Sequence, residues 1–246
     1  MAKLEIFQPF DQANIASWEN EAYINADGET RWTSLTYKDN NDFTVAKIEG
    51  FDILEAEALA ANTFEPIFTG NDILVGSWGD DELLGYEKQD QINGGFGDDF
   101  IHGMHGKDVL DGGFGNDTIR GGHGHDELWA GAGEDFLWGG VGRNMMYAGN
   151  ADGQHDDLYV SADSVNNAFG NPEGVNADIL NEVEWGDSIW IHGVEDAALT
   201  YVAGVADPMG SGSSGVGIYA NGTLEALVVG DLSSFDVNQM TTGGFF

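Results

Sequence analysis

From residue 70 to residue 149, aliphatic side chains return every nine residues. Leu74, Leu83, Ile92, Ile101, Leu110, Ile119, Leu128 and Leu137 keep one register, and Met146 closes the series. Two positions before each stands Asp72, Asp81, Asp90, Asp99, Asp108, Asp117, Asp126, Asp135 or Asn144. Two positions further back is usually glycine, as at Gly70, Gly79, Gly97 and Gly106. Glycine permits the positive φ angles of a tight turn. The unit 112–120 therefore reads as a six-residue turn followed by the three-residue strand Thr118-Ile119-Arg120. Side chains alternate across a strand, so Ile119 points inward and its neighbours outward. Two units, 18 residues, complete one coil with a strand on each side. The inward aliphatic column is the predicted core of an all-β solenoid.

The flanking sequence is not repetitive, which divides the chain into three regions. Residues 1–67 read as an N-terminal α+β cap, 68–150 as the repeat array and 151–246 as a β-rich C-terminal cap. Open solenoid ends need such caps. In the first region, Leu4, Ile6 and Phe7 suggest a strand. Segments 31–37 and 42–48 read as a hairpin around Lys38-Asp-Asn-Asn41, and 54–61 as a short helix. In the third, 156–160 looks like one further coil, and 188–191 and 198–203 read as strands. Segment 216–229 reads as a hairpin turning at Asn221-Gly222.

Charge changes this picture. Of 246 residues, 43 are acidic and 8 are Lys or Arg, for a formal net charge of −35. Such a chain repels itself unless cations neutralise it. Nucleic-acid binding, which needs clustered basic residues, is excluded as a reading. There are no cysteines, so no disulfide can staple the fold. The N-terminus lacks the continuous apolar stretch of a Sec-type signal, and no run is long enough to span a membrane.

Residues 18 apart stack in neighbouring coils, about 4.8 Å from each other. Asp72, Asp90, Asp108 and Asp126 line one edge, and Asp81, Asp99, Asp117 and Asp135 the other. Stacked carboxylates repel, and a divalent cation between them reverses the sign. Ca²⁺ prefers six to eight oxygens and accepts carbonyls beside carboxylates. Mg²⁺ demands a stricter octahedron, and zinc prefers Cys and His. The candidate metal ligands are therefore the eight aspartates with Asn144. Carbonyls would come from turn glycines: Gly76, Gly79, Gly94, Gly97, Gly103, Gly106, Gly112, Gly115, Gly121, Gly124, Gly133 and Gly139. About six to eight ions are expected.

The nonapeptide resembles the calcium-binding repeat of the repeats-in-toxin (RTX) family, as in Gly112-Gly-Phe-Gly-Asn-Asp-Thr-Ile-Arg120. Segment 177–194 resembles the region that follows the repeats in serralysin-like C-terminal domains. The resemblance implies a right-handed parallel β-roll, folding triggered by extracellular calcium, and secretion by type I machinery. An uncleaved C-terminal signal is implied with it, and Gly243-Gly-Phe-Phe246 is compatible with one. Some positions depart from the pattern. Lys88 replaces a turn glycine, Asn144 loses a charge, and Ala130 and Ala148 replace glycines.

Outward strand positions are unusually apolar. Ile73, Val75, Val109, Trp129, Met145 and Tyr147 share one face; Leu84, Phe100, His102, Phe136 and Trp138 share the other. Such patches are usually covered. Either the terminal regions pack over them, or Trp129 or Trp138 stacks on sugar rings. Lys107, His125 and Arg143 share an edge column that either balances local aspartates or grips an acidic polysaccharide. Glu87, His105 and His123 share another column, read as exposed turn residues or as a zinc or copper site. No metalloprotease His-Glu-x-x-His, no Gly-x-Ser-x-Gly elbow and no cysteine nucleophile occurs, so no enzyme activity is expected. The sequence thus predicts a secreted calcium-binding protein with a structural, surface or matrix role. An acidic-polysaccharide-binding module is the alternative, ahead of an ice-binding protein or a small hydrolase.

Overall fold

The computed structural model describes residues 3–6, 17–24, 26, 29–38, 44–54, 68, 70–149, 154–161, 177–194, 199–207, 212–230 and 232–244. The repeats form a parallel β-roll whose strands alternate between two sheets. One sheet takes β5 (Ile73–Val75), β7 (Gln91–Phe96), β9 (Val109–Phe114), β11 (Glu127–Ala132) and β13 (Met145–Tyr147). The other takes β6 (Glu82–Leu84), β8 (Phe100–Gly106), β10 (Thr118–Gly124) and β12 (Phe136–Val141). Residues 18 apart pair in register, as Ile101 with Ile119 and Ile119 with Leu137. The aliphatic residue of every unit faces inward and is buried. Burying each such side chain contributes about 1.5–3 kcal/mol, so the roll stores its stability evenly along its length.

Three-residue strands are too short a description of the central coils. Strands β7 to β12 run six or seven residues, because the turn glycines stack in register as well. Gly95 pairs with Gly113, and Gly113 with Gly131. A Cβ at Gly95 would lie 2.6 Å from the Ser77 carbonyl, so the close backbone approach itself requires glycine there.

The roll continues past the nine-residue period. Strands β14 (Asp157–Ser161), β15 (Asp178–Asn181) and β16 (Ser188–His192) pair in parallel with β12, β13 and β14 respectively. The further coil expected at 156–160 is present, and so is the strand expected at 188–191.

Both terminal regions add strands edge-on. At the N-terminal side, β1 (Lys3–Ile6), β2 (Ser17–Ile24), β3 (Thr30–Lys38) and β4 (Thr44–Leu54) form an antiparallel unit in the order β2-β3-β4-β1. Strand β1 then joins β5 in parallel. At the other end, β17 (Leu199–Ala206), β18 (Ser214–Ala220) and β19 (Thr223–Val229) form a meander, and β19 joins β15. The predicted β3–β4 and β18–β19 hairpins are both present, with Asn221 and Gly222 at φ 51° and 86° in the second turn. The result is one sheet of 13 strands facing one of seven. The described terminal strands therefore lengthen a sheet rather than lie across its outer faces. Strand pairing explains this, since an end strand offers unpaired N–H and C=O groups.

Strands β2 and β15, the last strand of the chain and a helix α1 (Ser234–Met240) were not legible in the pattern. The helix has a reciprocal cap, Ser233 Oγ accepting from Asp236 N–H and Asp236 Oδ2 from Ser233 N–H. It delivers the chain to β20 (Thr241–Gly244), which pairs with β16 as the last strand of the seven-stranded sheet. The helix expected at 54–61 falls outside the described residues except Leu54, which ends β4. Among the described residues no helix is long and apolar enough to cross a membrane.

Candidate calcium-binding ladders

Each strand of the roll is entered through its aspartate, and each aspartate is buried. From Asp90 onward, the aspartate Oδ1 accepts a hydrogen bond from the backbone N–H of the aspartate one coil earlier. Asp72 N–H donates to Asp90 at 2.7 Å, Asp90 to Asp108 at 2.9 Å, and Asp108 to Asp126 at 3.0 Å. On the opposite edge Asp81 donates to Asp99 at 2.8 Å, Asp99 to Asp117 at 2.8 Å, and Asp117 to Asp135 at 2.7 Å. All eight sequence-predicted aspartates thus fall into two columns, four on each edge.

The columns extend further than nine-residue spacing could reveal. Asp135 N–H donates to Asp156 Oδ1 at 2.9 Å, and Asp156 N–H to Asp187 Oδ1 at 3.1 Å. Asn144 N–H donates to Asp178 Oδ1 at 2.7 Å. The intervals are 21, 31 and 34 residues instead of 18. A signal was nonetheless present: Asp156-x-Leu158, Asp178-x-Leu180 and Asp187-x-Ile189 keep the aspartate-to-aliphatic step of the repeats.

The second carboxylate oxygen has a different fate. The Oδ2 atoms of Asp90, Asp99, Asp108, Asp117 and Asp126 are buried with no hydrogen-bond partner, as is Oδ1 of Asp81. An orphaned buried carboxylate oxygen is costly, and a native fold must satisfy it. The five Oδ2 atoms each lie against a turn glycine. A Cβ on Gly85 would sit 2.7 Å from Asp90 Oδ2 and 2.8 Å from the Gly103 carbonyl oxygen of the next coil. Gly94, Gly103, Gly112 and Gly121 repeat the arrangement one coil or edge further on, against Asp99, Asp108, Asp117 and Asp126. A carboxylate oxygen and a carbonyl oxygen thus converge on one small cradle, which a side chain would fill. Among the described residues no three His, Cys, Asp or Glu side chains converge, so carbonyls must supply most of the oxygens. An all-oxygen set of mixed carboxylate and carbonyl character fits Ca²⁺.

Burial also moves the acid equilibria. Desolvation pushes the Asp90, Asp99 and Asp108 carboxyls up from 3.8 to about 7, and repulsion from neighbouring ladder aspartates adds to it. The backbone hydrogen bond that each accepts offsets only part of the rise. Asp117 and Asp126 rise to about 6 with the same leading cause. Asp81 and Asp187 are also raised, again first by burial.

The two departures from the pattern behave differently. Lys88 adopts φ 81°, in the left-handed region its glycine counterparts use, and the ladder bonds on either side of Asp90 persist. Asn144 keeps its rung, accepting from Asp126 N–H at 3.0 Å through Oδ1. That bond leaves Nδ2 facing Gly139, buried and without a hydrogen-bond partner. An N–H donor here repels a cation where every other unit offers an oxygen. Asn144→Asp is therefore expected to raise stability in saturating calcium by about 1 kcal/mol and to lower it in chelator. Thermal melts in both buffers check this, and a shift of the same sign in both would overturn it.

Of the residues proposed from sequence as a ligand face, the two tryptophans lie on different sheets, while His125 and Arg143 adjoin. Trp129 is 36% exposed on the 13-stranded sheet, stacked on Tyr147 with ring centroids 3.7 Å apart. Trp138 lies on the seven-stranded sheet, its Nε1 donating to Ser161 Oγ at 3.2 Å. Arg143 pairs with Asp207 at 2.8 Å and so ties the turn of the roll to the end of β17. His125 Nδ1 accepts from Arg143 N–H at 2.9 Å. Lys107 is exposed. The same edge positions form outer rungs elsewhere, as where Asp98 and Asn116 accept from Asn116 N–H and Glu134 N–H.

A family model described as the RTX calcium-binding nonapeptide repeat matches four times, over residues 69–87, 84–119, 112–146 and 120–154. No curated protein matches the chain. The matched residues are those that build the coils, the glycine cradles and most of both aspartate ladders. The repeat segment of this chain therefore belongs to the RTX calcium-binding nonapeptide-repeat family, and the protein is a calcium-binding β-roll protein.

Proposed function

We propose that calcium is the folding trigger of this protein and the ladder aspartates its ligands. The orphaned carboxylate oxygens facing the glycine cradles carry this reading. A chain of net charge −35 without a cysteine has neither neutralisation nor a covalent staple of its own. Calcium supplies both. At low calcium the buried carboxylates oppose folding; at high calcium each becomes a cross-link between coils.

This coupling suits export. A chain unfolded in low calcium can pass a type I secretion channel and fold outside, where calcium is plentiful. We therefore place it outside the cell, in a structural or surface-associated role without catalysis. The support is physical: the acidic pairs are explained as ladder rungs, which leaves them no acid–base task.

The test is far-UV circular dichroism of the full chain with calcium and with EGTA at pH 7.5. Strand signal is expected only with calcium. A native-like spectrum in EGTA would sink the proposal.

A further inference from the structure

The outer face of the seven-stranded sheet carries a short groove of about 500 Å³. Its floor crosses strands β8, β10 and β12 at Met104, Gly122 and Gly140. Both glycines have positive φ, and a Cβ on either would overlap the carbonyl oxygen one coil earlier, of Met104 or Gly122. The bare floor is therefore built into the stacking of the coils. Met104 closes one end, and Ser161, on β14, closes the other. Successive strands from β8 to β14 put those ends about 14 Å apart. Arg120 and Trp138 form one wall, His123 and Val141 the other. These rows stand three residues apart along their strands, about 10 Å.

Arg120 gives the groove its chemistry. Among the described residues it is the only Lys or Arg in the lining, and no carboxylate lines it. Its guanidinium lies over the Phe100 and Trp138 rings, 5.5 Å and 5.7 Å from their centroids. Among the described residues it forms no ion pair, and its Nε is buried without an acceptor. A guanidinium short of oxygen partners, in a chain with 43 acidic residues, is complementary to an incoming carboxylate. His102, beside Arg120 in the same row, adds no charge at neutral pH. Its burial, and then the Arg120 and His105 charges, lower its pKa from 6.5.

Size and charge together select the ligand. A polyanion brings charge that the −35 chain repels, so one carboxylate matches the one guanidinium. A chain longer than the closed groove would leave apolar surface in water. A flat ring system lies on the glycine floor, buried between Trp138 and Val141. A cavity of this volume is of the size that small organic ligands occupy. We propose that the groove binds a planar, fused-ring aromatic monocarboxylate, with its carboxylate on Arg120. The proposal needs the folded roll and no particular role for calcium in folding.

The experiment titrates the full chain in saturating calcium with naphthoate, followed by calorimetry and by quenching of Trp fluorescence. Saturable binding is expected. Naphthamide, the uncharged analogue of the same shape, is expected to bind at least about tenfold more weakly. Arg120→Gln is expected to lose at least about tenfold in naphthoate affinity and to bind naphthamide as the unaltered chain does. Val141→Glu places a carboxylate on the facing wall, at an exposed position, and is expected to weaken naphthoate binding several-fold. That variant keeps the test decisive if circular dichroism shows Arg120→Gln unfolded. Undetectable naphthoate binding, equal binding of naphthamide, or full naphthoate affinity in a folded variant overturns the proposal. Tighter binding of dodecanoate, a flexible carboxylate of similar size, overturns the aromatic assignment.

Discussion

Replacing Asp108 with asparagine is expected to reverse sign between two buffers. In saturating calcium, Asp108→Asn should lose about 2–3 kcal/mol, because a charged ligand leaves a buried site. In EGTA it should gain stability or leave it unchanged, because a desolvated carboxylate has gone. The substitution is clean, since Asn144 already shows that asparagine keeps the ladder rung through Oδ1. Only the orphaned oxygen of Asp108 is removed. Denaturant melts in the two buffers, with a count of bound ions, give the result. Equal losses in both buffers would mean that Asp108 is a packing residue and nothing more.

Acid is expected to substitute in part for calcium. Burial, with help from neighbouring charges, raises Asp90, Asp99 and Asp108 from 3.8 to about 7. A carboxyl with a raised folded pKa binds its proton more tightly folded than unfolded. Its stabilising contribution is complete below about pH 4 and is lost as pH rises through about 7. In chelator, strand content should therefore rise as pH falls from 7.5 towards 5. Calcium must displace those protons, so the calcium needed for folding should increase over the same window. Circular dichroism across a grid of pH and calcium measures both. A metal-free chain that loses structure on acidification to pH 5 would contradict the assignment of burial as the leading cost.

Legibility followed regularity. Asp72 to Asp135 and their aliphatic partners could be placed because spacing alone determines which residues stack. Asp156, Asp178 and Asp187 belong to the same ladders, but longer intervals broke the count. The docking of the terminal regions was not legible, because hydrophobic patterning does not say which sheet edge a meander will join. Trp129 and Trp138 looked equivalent as exposed indoles, yet one stacks on Tyr147 and the other borders the groove. Arg120 gave no signal in the sequence. Its significance comes from Phe100 and Trp138, one coil away on either side.

The unequal intervals of the last rungs bear on how such molecules grow. What a coil must preserve is one aspartate, one aliphatic residue and the step between them. The length of chain connecting one such triplet to the next is free. A tandem duplication of 18 residues would add one rung to each column and one strand to each sheet. An insertion between triplets would leave the columns unbroken, as it does between Asn144 and Asp178. The architecture can therefore lengthen and acquire new loops by independent steps, without redesign of the core.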